Sequence, residues 1–220
     1  MKILKLSACS IIMLVFSYSC KKVAPKQEES NHELTIADST NTMKNNLPYT
    51  SDNIKQYYKY NVDSISYVVN SQYKGLVSGN FNEKNKFVPL KENDFEIQQE
   101  PKYKYYILET FKFSDTNTVK LIIYNSFGEN DSKILNVQLN SYLNSDLVDQ
   151  LLLDCRFTFE TEYFRTFKID ADKNIEIVKY SVDKLEYNET GDIIGEKKSA
   201  DSTKLKVNYI IDPAGKFIKK

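Results

Sequence analysis

Four oxygen-bearing side chains at alternate positions form the most metal-like string in this sequence. They are Asp170, Asp172, Asn174 and Glu176, within the segment Asp-Ala-Asp-Lys-Asn-Ile-Glu. Carboxylate and amide oxygens are the ligands that Ca²⁺ prefers, and oxygens at alternate positions of a loop can wrap the ion. A calcium site is therefore one hypothesis for residues 170–176.

This string also resembles the start of an EF-hand calcium loop, which implies a flanking helix on each side and a closing glutamate. In this chain Ile175 stands where that loop needs glycine, and Ser181 stands where the closing glutamate belongs. The neighbouring residues alternate in the manner of strands rather than helices. We therefore interpret residues 170–176 as a polar hairpin turn, and we predict neither a metal nor another cofactor.

Glu160 and Glu162 are the candidates for carboxylate chemistry. Two carboxyl groups about 5–10 Å apart can hydrolyse a glycosidic bond, and side chains two positions apart on a strand have about that separation. Arg156 and Arg165 lie close in the sequence, so a solvated surface of opposite charges explains the same residues without catalysis. We predict no catalytic residue and keep a carboxylate-based, glycosidase-like hydrolase as an alternative.

Histidine and cysteine are too scarce for most nucleophilic or zinc chemistry. His32 is the single histidine, and it lies in a polar N-terminal stretch. Hydrolase triads use histidine as the base, and most zinc sites use clusters of histidine and cysteine. Cys155 lies in the apolar alternation of residues 151–159, which predicts a buried thiol that packs like a small hydrophobic residue.

The N-terminus has the parts of an export signal. Lys2 and Lys5 precede the apolar run Ile11–Phe16, and small or polar residues then lead to Cys20. A basic start, a short apolar run and small residues before a cleavage point are typical of a secretory signal. The apolar run is shorter than the roughly 20 residues that span a bilayer. Residues 1–19 are therefore predicted to be a signal peptide.

The segment Ser17-Tyr18-Ser19-Cys20 resembles the bacterial lipobox, with Ser17 in the place where leucine is usual. The resemblance implies that Cys20 is acylated and becomes the first residue of the mature protein. Each buried CH₂ of an acyl chain contributes about 0.8 kcal/mol, so two or three chains hold a protein stably on a membrane. The predicted membrane contact is therefore the N-terminal lipid.

The lipobox, the polar segment behind it and the C-terminal segment Tyr209–Phe217 together resemble uncharacterised envelope lipoproteins of Bacteroidota. The resemblance implies a lipid-anchored protein of the bacterial cell envelope. Lys21 and Lys22 stand where acidic residues tend to mark export to the cell surface, which favours an outer-membrane anchor facing the periplasm. The resemblance also implies short O-glycosylation signals at residues 38–40 and 201–203, each Asp-Ser-Thr.

Charge and composition divide the chain and exclude one class of partner. The 30 basic and 30 acidic residues become 28 and 30 once residues 1–19 are removed, a net charge of −2. No field of one sign exists to recruit nucleic acid. Residues 20–46 are polar with few large apolar side chains, which predicts a flexible tether behind the acylated cysteine. Residues 47–220 suit a single globular domain.

Apolar residues recur at every second position along most of residues 47–220, which predicts half-buried strands. The clearest runs are Tyr103–Phe113, Val119–Ile123, Leu135–Leu139, Phe167–Ile177 and Leu205–Ile211. A short helix is predicted over residues 52–60, capped by Ser51 or Asp52. Residues 145–154 fit either a helical stripe or a turn followed by a strand, and we favour the turn and strand.

One turn pattern recurs three times, at Tyr124–Gly128, Tyr187–Gly191 and Ile211–Gly215. Each has a large apolar residue, Asn or Asp, two free positions and Gly. The Asx side chain can accept a hydrogen bond from the backbone, and glycine takes the left-handed position. We predict a mainly β domain, an antiparallel meander that forms a sandwich or a partly closed barrel, with at most one or two short helices.

The 16 tyrosines and 12 phenylalanines exceed what the alternation requires, so some are expected on a contact surface. We therefore predict a non-enzymatic binding module whose protein or small-molecule partner is unknown. The alternatives are a lipocalin-like carrier of an apolar ligand and the carboxylate-based hydrolase. An internal cavity lined by Tyr and Phe would favour the carrier, and converging carboxylates would favour the hydrolase.

Overall fold

The computed structural model describes residues 46–128 and 131–220. They all belong to one compact unit, Thr42–Lys220. The predicted signal peptide, Cys20, His32, the 38–40 glycosylation triplet and the tether up to residue 45 lie outside the described residues. No helix in the described ranges is long and apolar enough to cross a membrane.

Strands account for most of the described chain, which confirms the predicted mainly β class. The strands are Tyr49–Thr50 (β1), Tyr58–Asn61 (β2), Ser66–Val69 (β3), Val77–Asn80 (β4), Leu90–Lys91 (β5), Lys104–Lys112 (β6), Asn117–Phe127 (β7), Lys133–Leu143 (β8), Asp146–Thr158 (β9), Thr161–Ile169 (β10), Asn174–Tyr187 (β11), Ile193–Ile211 (β12) and Phe217–Lys219 (β13). One helix, Ser51–Ile54 (α1), and two 3-10 turns, Lys55–Tyr57 and Glu83–Phe87, accompany them.

Eleven of these strands form one sheet in the order β13-β12-β11-β10-β9-β8-β7-β6-β4, with β1 beside β10 and β5 beside β9. Strands β6 to β13 each pair with the next strand in sequence, which is the predicted meander. The pairings are antiparallel except for β5 with β9. The two ends of the path do not meet, so the sheet in this part of the chain stays open. Strands β2 and β3 form a separate hairpin.

The sheet divides between β9 and β10. These two strands pair only through Thr158 with Glu162 and Phe157 with Tyr163, and then separate. Strand β1 occupies the freed edge of β10, and β5 occupies the freed edge of β9. Both halves contribute apolar residues to one main core, which is consistent with the predicted sandwich, and a second, smaller cluster packs beside it. Members of the main core include Leu121, Leu139, Leu151, Ile169, Ile177 and Val207.

The helix predicted over residues 52–60 is much shorter in the structure. Helix α1 ends at Ile54, and residues 58–61 form β2. The cap is Thr50, not Ser51 or Asp52: Thr50 Oγ1 accepts a hydrogen bond from the Asp52 backbone N–H (3.3 Å). Ser51 Oγ instead accepts one from the Phe167 backbone N–H (2.6 Å), because the start of the helix packs against β10.

The run Tyr103–Phe113 does not lie on one face as its alternation predicts. A bulge between Ile107 and Glu109 shifts the register of β6 against β7. Tyr103 and Ile107 therefore pack in a second cluster with Tyr124 and Leu152, whereas Phe111 packs in the main core. A bulge inserts one residue, so every later side chain on the strand changes face.

Two of the three predicted turns are confirmed and one is wrong. Gly191 and Gly215 have φ angles of 89° and 76° and close the β11–β12 and β12–β13 hairpins. Asn125, however, lies inside β7, where its Oδ1 accepts from the Val69 N–H and its Nδ2 donates to the Tyr67 carbonyl (both 2.9 Å). The β7–β8 turn instead lies beyond Phe127, where the Gly128 N–H donates to the Ser132 carbonyl.

The predicted turn and strand at residues 145–154 are confirmed by β9. Strands β11 and β12 form the longest hairpin and extend past β10, whose pairing with β11 begins at Thr161 opposite Asp183. Beyond that point β11 and β12 pair only with each other, in the described residues, up to Tyr187 opposite Ile193. Residues Ile193–Lys206 are exposed except for Lys197. The hairpin is therefore a projecting arm.

Candidate functional site

Three neighbouring strands bring paired residues onto one side of the sheet. Arg165, Lys179 and Leu205 lie directly opposite one another on β10, β11 and β12, as do Tyr163, Ser181 and Thr203. Directly opposite residues in an antiparallel sheet point to the same face. With Phe95 from the loop after β5 they line a groove of about 250 Å³, which we call the aromatic groove.

The loop that carries Phe95 is held by its own side chains. Asn93 Oδ1 accepts from the Ile97 backbone N–H (2.7 Å), and Asn93 Nδ2 donates to the Ile97 carbonyl (3.1 Å). The Phe95 ring meets Phe157 and Tyr163 edge-on, with centroids 4.8 and 5.1 Å away. Such pairs add about 0.5–1.5 kcal/mol beyond area burial. Phe95 is thereby fixed over the groove while 40% of it stays exposed.

The charges at the base of the aromatic groove are already paired. Arg165 is only 2% exposed, and its Nη2 donates to Asp94 Oδ2 (3.1 Å). Lys179 Nζ also contacts Asp94 and lies 2.5 Å from Glu92 Oε2. Buried charges persist in proteins when they are paired and hydrogen-bonded. The groove therefore combines apolar walls with a neutralised base.

Asp154 joins the two halves of the sheet where β9 and β10 separate. Its carboxylate is fully buried and accepts from the Arg165 backbone N–H (2.7 Å) and from Arg156 Nη2 and Nε (2.8 and 3.1 Å). In return Arg165 Nη1 donates to the Leu152 carbonyl of β9 (3.2 Å). These bonds satisfy backbone groups that the separating strands no longer satisfy between themselves.

Glu92 lies beside the base of the groove and is a second buried anion. Burial opposes its charged form, but Lys179 (2.5 Å), the Tyr209 hydroxyl and Lys219 (3.0 Å) donate hydrogen bonds to it. The three donors outweigh burial and lower the pKa of Glu92 to about 2. A carboxyl group whose pKa falls on folding stabilises the fold above its unfolded pKa, and this contribution is lost as the pH falls to the folded pKa.

We expect Glu92→Gln to destabilise the domain at pH 7 by about 2 kcal/mol, a value reduced for the solvent screening of exposed Lys219. The difference from wild type should shrink as the pH falls from 4.5 to 2, because the wild-type carboxylate is then itself neutralised. Urea unfolding at several pH values measures this, with Glu196→Gln on the projecting arm as the control. If Glu92→Gln lowered the free energy of unfolding by the same amount at every pH, that result would contradict the ionic role of Glu92.

The metal-like residues are confirmed as a hairpin turn between β10 and β11. Asp170 Oδ1 accepts from the Asp172 and Asn174 backbone N–H groups (3.0 and 2.9 Å). Glu176 points instead to Lys206 on β12, 2.5 Å away. The structure therefore does not bring the four side chains together. Across residues 46–128 and 131–220, no group of three or more His, Cys, Asp or Glu side chains is placed to hold a metal ion.

Glu160 and Glu162 have separate partners. Glu160 accepts from the Tyr187 hydroxyl (3.3 Å), whereas Glu162 accepts from Lys184 Nζ (2.8 Å) and from the Tyr67 hydroxyl (3.3 Å). Their partners belong to different parts of the β11–β12 arm and the β2–β3 hairpin. Only the pair of Glu162 with Lys184 fits the surface of opposite charges that the sequence suggested. Arg156 and Arg165 are instead largely buried and pair with Asp154 and Asp94.

Cys155 is 1% exposed, which confirms the buried thiol that the sequence predicted. It lies in the wall of the aromatic groove, and burial raises the pKa of the thiol to about 12. A thiol rather than a thiolate is therefore present at neutral pH, and thiolate is the nucleophilic form. The 201–203 triplet lies on the exposed part of β12, with Thr203 at the rim of the groove.

Two further hollows have more polar linings. One of about 300 Å³ lies beside Asn82, Asn85 and Asp146, and one of about 570 Å³ lies beside Asp52, Asn53 and Glu109. Ligand sites in proteins are mainly apolar with a few placed polar groups. The aromatic groove fits that description better than either hollow.

One feature of the sequence indicated this site, although it lies within runs that are otherwise typical of strands. Arg165 and Lys179 interrupt the apolar alternations that lead to Ile169 and begin at Ile175. A cation on the inward face of a strand indicates a buried ion pair, because a buried charge without a partner is costly. Asp94 and Phe95 carry no such signal, since their loop has no periodic pattern.

Comparison with protein-family models, with curated protein sequences and with solved structures finds no match for this chain.

Proposed function

We propose that this chain is a lipid-anchored protein of the bacterial cell envelope, held to the outer membrane and facing the periplasm. Its globular domain binds a partner or ligand through the aromatic groove and catalyses no reaction. The anchor rests on the resemblance of residues 17–20 to a lipobox. The binding role rests on the groove.

One observation carries the binding role: an aromatic ring held by two others and an exposed aliphatic side chain line the same groove, together with charges that are already paired. Phe95 is fixed by Phe157 and Tyr163, and Leu205 is 59% exposed. Exposed apolar side chains that border a concave surface are typical of interaction sites. Because Arg165 and Lys179 are already neutralised, an apolar group can enter without leaving an unpaired charge.

The form of the groove supports this role over the two alternatives. A lipocalin-like carrier needs an enclosed cavity, whereas this groove opens at exposed Thr203 and Leu205. Its volume of about 250 Å³ is smaller than the roughly 300–1,000 Å³ of pockets that enclose a drug-sized ligand. A hydrolase needs two carboxyl groups around one bond, and Glu160 and Glu162 are engaged with separate partners.

Binding of the dye anilinonaphthalene sulfonate tests the groove. We expect the dye to fluoresce when it binds the folded domain. Leu205→Glu should lower the affinity of the domain for the dye at least about tenfold, because the glutamate removes an apolar contact and its negative charge repels the anionic dye. Val77→Glu is the matched control, since Val77 is also an exposed aliphatic strand residue (63%) but lies on β4.

Both variants should keep the wild-type melting temperature, because each changes an exposed side chain. Equal dye binding by Leu205→Glu and Val77→Glu would overturn the aromatic groove as the binding site.

A further inference from the structure

Strand β12 has a long edge that nothing in the described chain covers. One side of β12 pairs with β11 from Ile210 to Asp201 and again from Glu196 to Ile193, with a bulge at residues 197–200 between the two stretches. On the other side β13 pairs only with Tyr209–Ile211, and the Lys220 N–H reaches the Asn208 carbonyl (2.9 Å). From Ile193 to Val207 that side pairs with no strand of residues 46–128 and 131–220. Its outward N–H and C=O groups form a template for another extended backbone.

The aromatic groove runs to this free edge. Thr203 and Leu205 are at once residues of β12 and rim residues of the groove. A strand added to β12 would lie about 4.8 Å away and place a side chain directly opposite Leu205, on the groove face. In strand addition, main-chain hydrogen bonds supply affinity and a pocket for alternate side chains supplies specificity. The free edge of β12 supplies the main-chain groups, and the adjacent aromatic groove supplies the pocket.

The charges of the edge favour one kind of strand. Between Ile193 and Val207 there are four lysines, of which Lys206 pairs with Glu176 and Lys197 pairs with Asp183 and Asp201. The other two, Lys198 and Lys204, are exposed and form no salt bridge within the described residues. Lysines on an edge strand oppose pairing with a second copy of the same edge, since like charges would meet. A strand with acidic residues would be attracted instead, and its apolar side chains would alternate toward the groove.

We propose that the free edge of β12, over residues 201–207, binds an extended peptide segment in which acidic and apolar residues alternate, with one apolar side chain in the aromatic groove. This inference rests on the proposed function and names the class of partner for the same site. Polypeptide is the partner whose chemistry fits, because a row of alternating backbone donors and acceptors is matched by another backbone.

The test uses a short, terminally blocked peptide in which glutamates alternate with valines around a central phenylalanine. Two further peptides carry backbone N-methyl groups on one or the other set of alternate residues. We expect the unmodified peptide to bind, and one methylated peptide to bind at least about tenfold more weakly than the other, because only one set of N–H groups faces β12. Equal affinity of the two methylated peptides would overturn main-chain pairing.

Hydrogen exchange locates the site on the protein. The unmodified peptide should slow amide exchange in residues 201–207 and leave β7 unchanged, and Leu205→Glu should weaken binding while Val77→Glu does not. If the dye binds the groove but the peptide does not protect β12, the edge inference fails and the proposed function stands. If neither binds, both fail. A concentration-dependent dimer with the same amides protected would overturn the peptide in favour of a second copy.

Discussion

Asp154→Ala should lower the free energy of unfolding by about 3–5 kcal/mol, the usual loss when one member of a buried ion pair is removed. The carboxylate is fully buried and accepts three hydrogen bonds, two from Arg156 and one from the Arg165 backbone. Without it, the Arg156 guanidinium, whose side chain is 14% exposed, loses its anion, and a buried N–H loses its acceptor. Urea unfolding followed by circular dichroism measures the loss.

Two comparisons separate this ionic role from simple loss of packing. Asp63→Ala, in an exposed turn, should change stability by less than about 0.5 kcal/mol. The double variant Asp154→Ala with Arg156→Met should be more stable than Asp154→Ala alone, because it removes the charge left without a partner. If the single variant fails to fold, the stability of the double variant can still be measured. A double variant no more stable than the single one would contradict the explanation.

Cys20→Ser should move the full-length protein from the membrane fraction to the soluble fraction of the bacterial envelope. Acyl chains contribute about 0.8 kcal/mol per buried CH₂, so their loss removes the whole anchor rather than weakening it. Radiolabelled palmitate should enter the wild type and not the variant.

Cys9→Ser and Cys155→Ser are the matched controls for the anchor. Cys9 lies within the predicted signal, and Cys155 is buried in the domain, so neither change should affect labelling or fractionation. Membrane association of Cys20→Ser equal to that of the wild type would refute the lipid anchor.

Local patterns were sufficient for most of the strands and for several turns. The period of two in Val119–Ile123 and Leu135–Leu139 appears in β7 and β8, because successive side chains of a strand point to opposite faces and the apolar set packs in the main core. The polar residues of β8 between them, Asn136 and Gln138, are also buried. The turns at Gly191 and Gly215 also followed from sequence, since an Asx side chain and a glycine with positive φ are contiguous in the chain. The predicted N-terminal signal, which lies outside the described residues, is likewise a local pattern.

Where the local patterns gave a wrong prediction, tertiary contacts determined the observed structure. Asn125 carries the pattern of a turn, yet it remains in β7 because its amide bonds the backbone of β3, more than 50 residues earlier. The bulge in β6 sends Phe111 to a different cluster from Tyr103, although their spacing predicts one face. Propensity and spacing describe a segment alone, whereas these outcomes depend on the surface against which the segment packs.

Apart from the two cations that interrupt the apolar alternation, Arg165 and Lys179, the candidate site depends on the tertiary structure. Phe95, Arg165 and Leu205 come from a loop and two strands, and the ion pair of Asp94 with Arg165 joins residues 71 positions apart. Sequence indicated that strands and aromatic residues are present, but not which strands would be neighbours. Within the described residues, the order of the sheet leaves one edge of β12 uncovered beside the groove, because β13 pairs only with Tyr209–Ile211. The backbone N–H and C=O groups that remain unpaired, and so can bind a partner, depend on which strands are neighbours in the sheet.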